Sequence, residues 1–504
     1  MRIFLIAFIL LLGASPAARA VEAEALERGT AITDPATLRE FDGGRFRLDR
    51  MLLPARLADA PLSNDELFRL PSMTPVRQAI DGEFERYVVR HKSSLPRETI
   101  GVGEGFDFQL FDRALLYSPQ TRFVLAGIVN RMDRAYVSPA DCGEVRLIYR
   151  LTRLNMPGDN TSSQRLPMTL NLVLKARADH SAPEITCSGI ANRWLAPGAL
   201  LKEKLLAKDS ALDLLGPENI DRIETNLQIA HAPKSAVRDF RTDYLMKVFR
   251  YDRQARAFAE APMENQIDRA RILADDSLKR EFRTWLLDPV NLAAFDRGTV
   301  LIPEKFLANG AIAPTPAGFD PSDLQPEFGL VRGEGAAFSE ADIVAALKKV
   351  AASGIRLQNI RSPGGFERRL NDVTCSGCHQ TRGIGGFHFP GVDWMTAKPS
   401  NTTVVPASPH FFGDQARRRD ILTALRDGRQ PDYSKGFASR PQLRGSTELA
   451  GTGYFDGWGA HCYASDKPSA GNDVSFRNWT CAGGLTCQVS AKTSRFGMCF
   501  VKNR

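Results

Sequence analysis

Cys375, Ser376, Gly377, Cys378 and His379 form one continuous run, Cys-x-x-Cys-His. Two thiols three residues apart can each add to a vinyl group of a single porphyrin. The histidine that follows is then placed beneath the ring, where an imidazole nitrogen can bind the iron. The run therefore predicts one covalent haem c, with Cys375 and Cys378 as the tether and His379 as the proximal metal ligand. Three of the chain's 7 histidines lie in or just beyond the motif, His379, His388 and His410. His388, Met395 and His410 are the candidates for the distal position on the iron. A second strong ligand would make an electron-transfer centre, and an open position would admit ligand or peroxide chemistry. Tetrahedral Zn²⁺ is the competing cofactor, held by Cys375, Cys378 and two of the histidines. A redox-active or structural Cys375–Cys378 disulfide is the remaining alternative.

Haem attachment of this kind belongs to an exported protein, and the first residues agree. Arg2 precedes a ten-residue apolar stretch, Ile3 to Leu12, and Ala18-Arg19-Ala20 has the small-x-small form of a cleavage site. The expected mature chain starts at Val21 and is periplasmic or secreted. No stretch approaches the length needed to cross a bilayer, so no transmembrane segment is expected. Cys375 and Cys378 leave six of the 8 cysteines, an even number that suggests three disulfides in an oxidising compartment. Cys142 and Cys187 stand by themselves in the first half and should pair. The other four, Cys462, Cys481, Cys487 and Cys499, allow three connectivities, of which we choose Cys462–Cys487 with Cys481–Cys499. The formal charge is +8, and loss of Arg2 and Arg19 with the leader would leave +6. That excess suits a solvated surface, an acidic redox partner or an anionic membrane surface. Nucleic acid is not an expected partner, because no basic stripe is interleaved with aromatic residues.

The elements that must carry the motif are those of an α+β protein. With 43% hydrophobic and 25% charged residues the composition is globular. After the leader (1–20), a mixed α+β region is expected over 21–320. A mainly helical, cytochrome c-like segment carrying the motif is expected over 330–440. A small Cys-rich module is expected over 447–504. Residues 21 to about 75 read as an irregular, Pro-punctuated lead-in, and Pro75 to His91 as a helix. Phe123–Asn130, Glu144–Leu151, Met168–Leu174 and Tyr244–Tyr251 read as strands. Ala199–Leu206, Glu218–Glu224 and Leu278–Leu287 read as helices, and about 310–335 as a Pro/Gly/Ala linker. Ser339 caps a helix with Asp342 at the capping-box position. Asp414–Arg426 is another helix. The tail is too poor in apolar residues for a core of its own, so disulfides should stabilise it.

A second dense group of functional side chains lies far from the motif. Asn130-Arg131-Met132-Asp133-Arg134 is followed by Asp141-Cys142-Gly143-Glu144-Val145-Arg146. Asp133 and Glu144 could be a catalytic carboxylate pair with arginines holding an anionic substrate, or salt-bridged strand ends braced by a disulfide. Gly101-Val-Gly-Glu-Gly-Phe106 lacks the third glycine of a dinucleotide loop, and neither a Walker A nor an HExxH nor a GxSxG run is present.

The runs Phe123 to Ala135, Cys142 to Arg150, Arg241 to Phe249, Ala261 to Asp268, Thr374 to Gln380 and Gly386 to Phe389 together resemble a family of large exported bacterial proteins. That family is known by its export and its CxGCH site rather than by a reaction. The resemblance covers about residues 120 to 412 and implies export and a functional Cys375–His379 site. Separately, Cys375 to His379 is similar to the attachment site of c-type cytochromes. The chain departs from a small cytochrome c in its large N-terminal part and in having no clear distal methionine. The expectation is an exported c-type haem protein with a redox or electron-transfer role. If it is an enzyme, a haem-dependent oxidoreductase is implied. The alternative is a haem-free secreted binding or scaffold protein with a zinc or disulfide site at the same motif.

Overall fold

The computed structural model describes residues 31–56, 59–154, 164–178, 185–232, 242–315, 328–331, 335–375 and 409–435. In the tail it describes residues 461–464, 472–477, 479–481, 484–489 and 496–501. A ten-stranded sheet forms its centre. The strands are β1 (Ala31–Ile32), β2 (Ile100–Gly101), β3 (Phe108–Leu110), β4 (Thr121–Arg131), β5 (Glu144–Arg153), β6 (Gln164–Lys175), β7 (Ile220–His231), β8 (Thr242–Asp252), β9 (Ala257–Ala261) and β10 (Gly310–Thr315). From β4 through β8 each strand pairs antiparallel with the next, and β10 and β9 share the other edge of β8, β10 along Thr242–Lys247 and β9 along Val248–Asp252. Mixed α+β is the correct class, and the sheet is its dominant element.

Alternation decides which side chains enter the core. Leu147, Tyr149 and Leu151 of β5, Leu170, Leu172 and Leu174 of β6, and Ile223, Leu227 and Ile229 of β7 face one buried cluster. A bulge between Leu125 and Gly127 keeps both Leu125 and Ile128 on that side, although they are three residues apart. This face is covered by α1 (Pro35–Gly43), α2 (Thr74–Ser94) and short helical turns between them. Asp34 caps α1 and accepts from the Thr37 amide at 2.8 Å. In α2 the residues Val76, Ile80, Phe84 and Tyr87 recur at helical spacing and are buried.

Three sequence expectations are corrected. The stretch from 31 to 73 is not an irregular lead-in; it folds into helices that bury Leu38, Phe41, Phe46, Met51 and Phe68 against the sheet. Glu218–Glu224 is not a helix but a short 3-10 turn running into β7. Ile220 and Ile223 have helical spacing, but Ile223, Thr225, Leu227 and Ile229 alternate, and the neighbouring strands complete the ladder. The stretch 310–315, assigned to a linker, is edge strand β10, where Pro314 is tolerated because only one side pairs.

A second core is helical. It is built from α4 (Asp276–Leu286), α5 (Pro289–Arg297), α6 (Glu340–Ala352) and α7 (Pro363–Val373), whereas α3 (Cys187–Leu195) buries Ile190, Ala191 and Trp194 in the core of the sheet. Ser339 and Asp342 form the capping box of α6. Its buried residues run from Ile267 to Val373, so α7 is built into a core that begins well before residue 330. The last helix of the region, α8 (Pro409–Arg426), packs instead on α3 and the sheet, with the Ser188 hydroxyl donating to Arg426 O at 2.6 Å. The described residues thus show no self-contained helical segment of cytochrome c type over 330–440. Among the described residues no helix is long and apolar enough to cross a membrane.

Among the described residues three disulfides are present: Cys142–Cys187, Cys462–Cys487 and Cys481–Cys499. The first of the tail pairs joins β11 (His461–Tyr463) to β12 (Leu485–Gln488) and the second ties Cys481 to β13 (Phe496–Val501), beside Tyr463 stacked on Phe476 with Trp479 edge-on to it. Cys142–Cys187 ties the β4–β5 turn to α3 across a separation of 45 residues. Closing a loop of that length removes about 4 kcal/mol of unfolded-state freedom. Replacing Cys142 and Cys187 together by Ala should lower the unfolding free energy by about that amount. Chemical denaturation of the purified protein measures it, and an unchanged midpoint would count against a covalent link at this position.

Candidate functional site

The site is assembled where α7 delivers Cys375, the first residue of the motif, onto the sheet. Ser362 caps α7 and accepts from the Gly365 amide at 2.9 Å, and Pro363 opens it without losing an internal bond. Phe366, Leu370 and Val373 enter the helical core. Arg369, fully buried, donates from Nε to Phe295 O at 3.1 Å and from Nη2 to Asp296 O. Burial pushes its guanidinium down to about 10, partly offset by Asp372 and Asp296. On its outer side the helix meets the tail. The Arg368 guanidinium lies 5.1 Å from the Trp479 ring centroid, and the Ser362 and Ser475 hydroxyls are 2.8 Å apart.

Cys375 follows directly. Its Sγ donates to Glu264 O at 3.3 Å and packs against Met246, Val248, Ala261, Met263, Ala311 and Ala313. It belongs to none of the three disulfides. Cys378, His379, His388 and Met395 lie outside the described residues. His410 stands in the first turn of α8, and its side chain also lies outside them.

The patch under Cys375 is continuous with a charged region on the same side of the sheet. Glu224 pairs in register with Val248, and Val248 with Ala261. Directly opposed residues in a ladder point to the same face. That face also carries Arg131, Glu144, Arg146 and Arg222, on the side opposite the large core. Gly143, at φ +83°, makes the turn possible: a Cβ there would stand 2.7 Å from Met132 Cα and 2.8 Å from Arg131 O.

Glu144 is the centre of this region. Its carboxylate meets Arg146 at 2.7 Å, Arg222 at 2.7 Å and Arg134 at 3.0 Å. Glu224 lies 3.0 Å from Arg146 and 2.7 Å from Arg222. Asp133 accepts from Arg131 at 2.8 Å and from Arg417 of α8 at 2.8 Å. Asp414 accepts from Arg417 and Arg418, each at 2.6 Å. Arg134 then pairs with the carboxylate of Glu264, whose own carbonyl holds Cys375. Two contacts therefore separate the first cysteine of the motif from Arg134 in the charged cluster.

The electrostatics determine what these carboxylates can do. Burial raises the proton affinity of Glu144, but Arg222, Arg146 and Arg134 outweigh it and hold the carboxyl well below the usual range. Burial likewise acts on Asp133 and is overcome by Arg131, Arg418 and Arg417. Both remain anions at neutral pH and neither has the poise of a general acid or base. The pair serves as counterions, so the carboxylate-hydrolase reading of Asp133 and Glu144 is set aside.

Sequence reasoning found Arg131, Asp133, Arg134, Glu144 and Arg146, and missed Arg222, Glu224, Glu264, Asp414, Arg417, Arg418 and Lys435. Asp414-x-x-Arg417-Arg418 was available as an i, i+3 and i+4 pattern, but it reads equally as a solvated helix face. Lys435 is the least expected member. Only 7% exposed, it is anchored by its amide donating to Arg297 O at 3.0 Å. Burial, with Arg417, Arg134 and Arg131 adding to it, pushes its ammonium down to about 7.

In the tail, the sulfurs of Cys462, Cys481 and Cys499 lie within 4.8 Å of one another. Bonded as disulfides, they present no thiolate to a metal ion. Comparisons with protein-family models, with curated proteins and with solved structures find no match to this chain.

Two outcomes follow from the charges. Glu144→Ala leaves three guanidinium groups without their shared anion and should cost about 3–5 kcal/mol of stability, measured by chemical denaturation. Lys435 binds its proton less tightly folded than unfolded. Between about pH 7 and its ordinary value of 10.5 the unfolded chain holds the extra proton, and stability rises with pH. The rise should approach about 1.4 kcal/mol per pH unit in that window and be absent in Lys435→Met, relative to wild type. Parallel denaturation curves at pH 7, 8 and 9 for both proteins measure it.

Proposed function

We propose that this protein is an exported c-type haem protein with a redox or electron-transfer role, carrying one haem tethered through Cys375 and Cys378. The observation that supports this most is where Cys375 sits. The thiol that would form the first thioether stands on an apolar patch of small side chains and methionines, at the edge of a cluster of arginines. A porphyrin is a flat apolar disc with two carboxylates at one edge, and both halves of that chemistry are available on this face. The residues described therefore fit the group. His379 is the proximal ligand in this reading, with His388, Met395 or His410 opposite it.

When bound, the haem supplies one-electron chemistry at iron. The chain's part is to hold the tether rigidly, through α7 and its two packing partners, and to exclude water from the apolar side. The leader over residues 1–20 delivers the chain to the compartment in which haem is attached. The positive formal charge of the sequence suits an acidic electron partner, whose association would weaken with rising salt. Membership in the exported family that shares the CxGCH site belongs to the same reading.

The test is the intact mass of protein secreted from a host with haem-maturation machinery. A covalent haem adds about 616 Da and survives denaturing electrophoresis. His379→Ala should abolish the native haem spectrum. Absence of the mass increment would instead favour the binding or scaffold protein, and a stoichiometric zinc content would then separate a metal site from a Cys375–Cys378 disulfide.

A further inference from the structure

Leu201 and Leu206 flank the single helical turn Lys202–Leu205 and are left 51% and 46% exposed. Between them Leu205 turns inward, into the core of the sheet. Ala196, Pro197 and Ala207 are exposed on either side, so the stretch presents a run of apolar side chains to solvent. It is held in place from both ends. Trp194 of α3 is buried just ahead of it, the Leu205 amide donates to Leu201 O at 3.0 Å, and the Leu206 amide donates to Lys202 O at 3.1 Å. Cations surround the leucines: Lys202, Lys204 and Lys208 stand against one carboxylate, Glu203, over the same stretch. Lys202 pairs with Glu40 at 2.6 Å, and the following Asp209 is answered by Arg193 at 3.3 Å. Lys204 and Lys208 are exposed and make no ion pair with any described residue. Val102 and Phe106, another exposed pair close in sequence, flank Glu104 and precede Asp107, and so lack this cationic setting.

Exposed leucines among lysines match the chemistry of a lipid interface. The leucines enter the boundary between headgroups and acyl chains, the lysine stems lie along apolar surface, and the ammonium groups reach lipid phosphates. Protein interfaces are instead anchored by aromatic side chains and arginine, and leucine is under-represented among their anchors. The exposed residues from Ala196 to Lys208 include neither an aromatic residue nor an arginine. We propose that residues 196–208 form a docking surface for an anionic lipid bilayer, on which the protein lies without crossing it. Trp194 and Leu205 fix the segment on the core, so the leucines are presented without a further ordering cost. The surface is remote in sequence from Cys375 and does not rest on the haem reading.

The test is co-sedimentation of the full-length exported protein with vesicles of equal parts phosphatidylglycerol and phosphatidylcholine, and with phosphatidylcholine vesicles as the neutral control. The protein should bind the anionic vesicles about tenfold or more tightly than the neutral ones, and binding should weaken as salt is raised. Leu201→Ser combined with Leu206→Ser should weaken binding about tenfold or more, because two apolar side chains no longer enter the lipid. Lys204→Gln and Lys208→Gln should each weaken it about fivefold. All four side chains are exposed, so the variants should keep the wild-type denaturation midpoint, which separates loss of docking from loss of the fold. Absence of binding to the anionic vesicles, or equal binding by the leucine variant, overturns the surface. Salt-sensitive retention on polyglutamate without vesicle binding also overturns it, and assigns the lysines to an acidic protein partner. A missing haem mass increment defeats the haem reading alone, because the same vesicle assay still decides the surface on that protein.

Discussion

The carboxylate of Glu144 is the point through which separate parts of the chain are joined. It lies at the start of a central strand, beneath Arg134, Arg146 and Arg222. In a region of low dielectric, three guanidinium groups cannot be brought so close without a shared anion. Arg134 passes the connection to Glu264 and so to Cys375, and Asp133 passes it to Arg417 on α8. Contacts of this kind add little net stability compared with apolar packing, because desolvating the ions consumes most of the gain. Their consequence is geometric. The strand ends, the segment after β9 and the last helix have to meet in one arrangement or leave charges unanswered.

That arrangement sets the position of Cys375. The helix before Cys375 is enclosed by the helical core on one side and by the disulfide-bonded tail on the other. The tail thus serves a positional role in addition to closing its own small sheet. Cys375 leaves a rigid helix and lands on the second face of the sheet, where side chains are small, Ala261, Ala311 and Ala313 among them. On the first face the side chains are large and interlock with α1 and α2. A single sheet therefore divides the work: one face makes the core, and the other makes a platform with an apolar half and a cationic half.

Strands β4, β5, β6 and β8 were legible because β-branched and aromatic residues alternate along them. The bulge in β4 was not, since it depends on which side the partner strand needs. β7 was misread as a helix because its first two isoleucines are three apart and sit beside Pro217 and Glu218. Only the register with β6 and β8 decides against helix. The short helices before residue 75 were obscured by prolines, of which Pro35 opens a helix and Pro54, Pro61 and Pro71 lie between helices. At the site, Asp133 and Glu144 were visible as a charge cluster and ambiguous as chemistry. Their protonation depends on Arg222, Arg417 and Arg418, which lie tens to hundreds of residues away along the chain.

The sequence by itself determined the Cys-x-x-Cys-His motif, the even set of cysteines outside it, and the apolar periodicity of most long elements. These are local facts, carried by residue type and spacing within a few turns or one strand. Tertiary structure alone decided that the two carboxylates are counterions, that Cys375 opens onto the charged face of the sheet, and that Lys435 is buried among arginines. Those outcomes depend on burial and on cross-chain distance, which fix local dielectric and the sign of the surrounding charge, and no short stretch of sequence encodes either.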